Sequence, residues 1–162
     1  MTATLTIDQS ELRALDGAVR AAVERARPHI LKAMEGAMYD AVMDNFGPTG
    51  KDRPWPWHPL SEAYARRVGR KHATLQVSGA LQASVQHYTF IAGDESCAVV
   101  SMDDGRVPYA LAHHYGVPDG NRSHPDLPAR RVFPLDSSGE VLPATWVRVV
   151  EAARQAAREA LG

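Results

Sequence analysis

Three histidines fall close together, His113, His114 and His124, with Asp126 just beyond them. Imidazole is the commonest metal ligand and titrates near neutrality, so His113, His124 and Asp126 are the residues to weigh as a metal site. Adjacent histidines point in different directions, which suits one site poorly. The His-Glu-x-x-His pattern, which sets two ligands and a base on one helical face, does not occur. No metal site or cofactor is therefore expected. His114, Asn121 and His124 have the letters of a His–Asn–His nuclease without its supporting pattern. A second group is basic: Arg66, Arg67, Arg70 and Lys71 could touch phosphates, with Trp55, Trp57 and Tyr64 available to stack on bases. The same charges suit the C-terminal end of a solvated helix, where the macrodipole favours cations.

Nucleophilic chemistry finds little support. Ser61 and Ser78 lack the Gly-x-Ser-x-Gly frame of a nucleophile elbow, and neither a phosphate-cradling nor a dinucleotide-binding Gly-rich loop occurs. Cys97 lies in an apolar, strand-like run and is expected to be a buried, inert thiol. The pairs Asp94-Glu95 and Asp103-Asp104 sit at turns, where solvated aspartate is usual. Trp55 and Trp57 stand in a segment with four prolines, Pro48, Pro54, Pro56 and Pro59. Aromatic side chains on a Pro-stiffened loop lose little entropy on docking and make good interface anchors; they equally suit a loop folded over its own core.

The elements that must position these residues follow from periodicity. Residues 8–46 predict one long helix. Asp8 and Glu11 form a capping box, and Leu12, Leu15, Val19, Ala22, Val23, Ala26, Ile30, Ala33, Met34, Ala37, Ala41 and Val42 recur at three- and four-residue steps. Pro28 should kink or split it. At ~1.5 Å per residue the helix would be about 55 Å long, more than a domain of this size can cover, so part of its stripe should need another partner. Residues 47–59 form the Pro/Trp loop. Residues 60–142 predict short helices at 60–70 and after Ser78, paired strands at 85–91 and 97–102, a short helix at 109–115 ended by Gly116, and a third, edge-like strand at 130–135. Pro143 opens a last helix over 143–162, with Trp146, Val149, Val150, Ala153, Ala156, Ala157, Ala160 and Leu161 on one face. The fold class is α+β, in a single domain spanning 1–162.

Composition narrows the function class. With 44% apolar and 23% charged residues the chain is ordinary for a globular domain. A net charge of −1 provides no global field towards nucleic acid or a membrane. A single cysteine excludes an internal disulfide framework and any multi-cysteine metal site. No stretch is apolar enough to span a bilayer, and residues 1–8 lack the pattern of a secretory signal. Charge is uneven: residues 47–72 hold six basic and two acidic side chains, residues 73–142 four basic and eight acidic. Such opposed segments could orient head-to-tail self-association.

Three blocks in order carry a family resemblance. The first is Trp57-His58-Pro59-Leu60-Ser61 with Tyr64 and basic residues after it. The second is Leu75-Gln76-Val77-Ser78-Gly79-Ala80-Leu81-Gln82-Ala83-Ser84. The third is Tyr109-Ala110 with His113-His114-Tyr115-Gly116, followed by Leu127-Pro128-Ala129-Arg130-Arg131-Val132-Phe133. Together these blocks resemble the phage virion morphogenesis, or tail completion, proteins. His114 stands where that pattern usually has Gln, and Arg131-Val132 is inserted before the aromatic. The resemblance implies a non-enzymatic structural protein of a tailed phage or prophage, assembled in the bacterial host cytoplasm and resident in the virion neck or tail. It implies a homo-oligomeric ring, a hexamer being one candidate size. The ring would contact head–tail connector and tail-tube or tail-terminator proteins, with DNA passing through its lumen without sequence-specific binding and with no membrane partner. Expected contact residues are Trp55, Trp57, Leu60, Tyr64, Arg66, Arg67, Tyr109, His113, Arg130, Arg131 and Phe133. The alternative is a small metal-assisted nuclease or nucleic-acid-binding protein using His113, His114, His124 and the basic run 66–71.

Overall fold

A computed structural model describes residues 9–46, 57, 61–68, 79–103, 105–117 and 128–162. Helix α1 (Gln9–Asp44) is one continuous element of 36 residues, about 54 Å long. It is not split at Pro28, which sits inside it. The capping residue Asp8 lies outside the described residues. Two short helices follow, α2 (Glu62–Val68) and α3 (Ala80–Ala83), the latter entered through Gly79 at φ 68°. Strands β1 (Val85–Ala92) and β2 (Glu95–Met102) pair antiparallel from Val85↔Met102 to Ala92↔Glu95. The loop between them is only Gly93-Asp94, and Gly93 at φ 59° takes the left-handed conformation that a two-residue hairpin demands. Helix α4 (Ala110–Tyr115) ends at Gly116, and α5 (Pro143–Leu161) starts with proline in its first turn.

The fold is α+β, a single small domain of long helix, two-stranded sheet and C-terminal helix. The third strand expected at 130–135 does not form. Residues 130–134 run irregularly through the interior, and one isolated bridge, Leu135↔Val141, is all the pairing this segment makes among the described residues. The main chain there bonds to side chains and to α4 instead of to a ladder.

Helix α5 begins beside the end of α1, where Arg148 reaches Asp44 (2.6 Å) and Asp40 (3.7 Å), and packs back along it. The hairpin lies along another side of α1. His87 meets Glu35, and at the tip Arg27 Nη1 donates to the Gly93 carbonyl (3.0 Å). The core gathers at the C-terminal part of α1: Val42 and Phe46 with Trp57, Leu81, Val85, Val107, Ala110 and Val132. Thr145 and Val149 are the buried positions of α5. Trp146 and Leu161, expected on its packed face, are half exposed, since they sit away from the line through Thr145 and Val149. Among the described residues no helix is long and apolar enough to cross a membrane.

Candidate interaction surface

One described residue of each part of the three sequence blocks, Trp57, Leu81, Ala110 and Val132, meets in the same core cluster. Trp57 is only 9% exposed; its ring meets Phe46 edge-on at 5.8 Å, and its Nε1–H donates to the Arg131 carbonyl at 2.6 Å. Asn45, at the end of α1, donates to the same carbonyl (2.8 Å). One residue on, the Val132 N–H donates to His114 Nδ1 (3.1 Å), while the Arg130 N–H donates to the His113 carbonyl (2.7 Å). Leu81 and Ala110 are buried against this segment's neighbourhood. An irregular buried chain must find partners for its polar groups, and here four side-chain and main-chain anchors supply them.

That arrangement decides several residues. Trp57, expected as a partner anchor, is a core side chain holding the 130–133 segment. Arg130 is 5% exposed, Arg131 is half-buried with Nη1 donating to the Leu135 carbonyl (3.1 Å), and Phe133 packs edge-on against His114 at 5.6 Å. His113 is half-buried with Tyr109 edge-on at 5.6 Å, and Tyr109 remains exposed. Arg66 and Arg67 are exposed on α2. Trp55, Leu60, His124, Asp126, Asn121, Arg70, Lys71 and the Tyr64 side chain lie outside the described residues. Burial, with Arg131 nearby, holds the His114 pKa below its usual value; burial and Arg130 do the same for His113. Both are neutral imidazoles at neutral pH, and His114 has already committed one nitrogen to the main chain. Among the described residues no three His, Cys, Asp or Glu side chains form a metal-binding group.

One polar cluster escaped the sequence reading. Glu35 on α1 has no exposed surface, and it accepts hydrogen bonds from Lys32 Nζ (2.7 and 2.9 Å) and from His87 Nδ1–H across on β1. Tyr39 stacks on His87 at 4.1 Å. Burial pushes the Glu35 pKa up, but the bonds from Lys32 and His87 more than offset it, and the net direction is down. Nothing in sequence spacing pairs His87 with a glutamate 52 positions away.

The remaining feature is apolar surface left open. On α1 Leu12, Leu15, Val19 and Val23 are each at least half exposed. Tyr88 and Phe90 on the outer face of the hairpin, Cys97 opposite Phe90, and Leu111 and Tyr115 on α4 are exposed as well. Cys97 is thus not the buried thiol expected: the sheet has only two strands, α1 covers one face, and Cys97 belongs to the other. A cleft of about 580 Å³ opens between α1, β2 and α4, lined by Met38, Val100, Met102, Leu111, Tyr115 and Phe133. These exposed apolar groups are the candidate surfaces for contact with another molecule. No protein-family model, curated protein or solved structure matches the chain.

Proposed function

We propose that the chain is a non-enzymatic structural protein of a tailed-phage neck or tail, working as a homo-oligomeric ring that completes the tail or joins it to the head. The observation that carries this reading is the amount of apolar side chain the domain leaves in water: Leu12, Leu15, Val19 and Val23 on one helix, Tyr88 and Phe90 on the hairpin, Leu111 and Tyr115 on α4. The three blocks resembling tail completion proteins support it further, because they build the interior that presents the hairpin and α4. Burial of these surfaces by neighbouring subunits and by connector or tail-tube proteins supplies the association free energy, and the opposed charge segments orient it. Mass spectrometry of purified particles should find this chain in the virion, and particles made without it should accumulate as unjoined heads and tails. Infectious particles that neither contain nor require it would overturn the proposal.

A further inference from the structure

We propose that residues 9–25 of α1 pair side by side and antiparallel with the same segment of a second copy of this chain. Beyond the tip of the hairpin this stretch extends about 25 Å, and its large apolar residues are exposed. Leu12, Leu15, Val19, Ala22, Val23 and Ala26 fall within an arc of about 100° on the helix, at the alternating three- and four-residue steps of a two-helix seam. Leu12 is 50% exposed, Leu15 61%, Val19 52% and Val23 50%, whereas Ala26, next along the same arc, is 1% exposed. The stripe is thus the continuation of the face that the fold itself buries. What stops at residue 26 is the cover.

The charges along its edges select the occupant. One edge carries Glu11, Ala18 and Arg25; the other carries Asp16. Among the described residues neither Glu11 nor Arg25 has an ion-pair partner, while Asp16 is held by Arg20 at 3.0 Å. In a parallel pair unlike edges meet, and Glu11 faces Asp16 of the second copy, a carboxylate that Arg20 already holds, so neither Glu11 nor Arg25 gains a partner. In an antiparallel pair like edges meet, and Glu11 faces Arg25 of the second copy at both ends of the contact, by symmetry. Asp16 then lies near its own counterpart, each already neutralised by its Arg20. Edge charges add little affinity but set orientation. A two-fold contact closes after two copies, so this pairing takes the α1 stripe out of the contacts that run around a ring and leaves those to the hairpin and α4, whose exposed Tyr88, Phe90, Leu111 and Tyr115 carry the virion role separately.

Sedimentation equilibrium of the full chain tests it. At about 50 μM, in the range where modest interfaces are populated, the expected mass is twice 17.7 kDa, or a larger assembly containing that pair. Leu15→Asp with Val19→Asp should halve that mass while circular dichroism and the thermal transition of the core stay unchanged. Glu11→Arg alone should weaken pairing about fivefold, and Glu11→Arg with Arg25→Glu should restore it. A monomeric parent chain, an assembly indifferent to the two aspartates, or a charge exchange that fails to restore pairing would each overturn the proposal. Virions that carry a chain monomeric in solution would overturn it and leave the neck reading standing.

Discussion

Glu35 is the residue on which the attachment of the hairpin to α1 turns. A carboxylate without exposed surface is tolerable only while its hydrogen-bond donors stay in place, and Lys32 and His87 are those donors. Its pKa lies below the ordinary 4.5, so its contribution is complete above that value and is lost as pH falls through the lower, folded value. His113 and His114 act in a higher window. Their folded pKa values lie below 6.5, so the unfolded chain binds protons first and stability declines as pH drops below about 6.5. Denaturation midpoints should therefore fall in two stages on acidification, and Glu35→Gln should reduce the lower stage, which Asp136 shares, while costing about 1–2 kcal/mol at neutral pH. None of this cluster was legible beforehand. Sequence spacing reports which residues share a face of one element, and the Glu35–His87 contact joins two elements.

The hairpin and α5 were the most legible elements, for different reasons. Gly93-Asp94 between two apolar runs is a hairpin signal in itself, and Pro143 is a helix-start signal. Replacing Gly93 by Ala forces a side chain into the left-handed region and should destabilise the fold by about 1–2 kcal/mol, measurable as a shifted urea midpoint with unchanged slope. The supposed third strand shows the opposite case. Residues 130–135 read as an edge-like strand, yet their partners are Asn45, Trp57, His113 and His114, all remote in sequence. The same long-range anchoring moved Trp57 from a surface role to the core, the reading that its Pro-rich setting had left open.

Across the whole molecule, packing is concentrated at one end of α1. Leu81→Ala removes a 2%-exposed side chain from the converging core and should cost about 2–5 kcal/mol in thermal unfolding. Leu12→Ala, on the uncovered stretch, should leave the unfolding of the dilute chain within about 0.5 kcal/mol of the parent. The length of α1 was readable from periodicity, as was the excess of stripe over available cover; which part would stay uncovered depended on where the hairpin and α5 came to rest.

Pro28 gives that division a mechanical meaning. Lacking an amide hydrogen, it leaves the Glu24 carbonyl without its usual donor one turn later, close to where the hairpin ends. Unwinding that starts from the N-terminal end of α1 meets a missing rung there before it reaches the packed body, and a chain clipped at that joint would forfeit, among the described residues, no buried side chain but Ala26. The first part of the helix is a handle fastened to the body at a weakened rung, one that can come loose while the body holds.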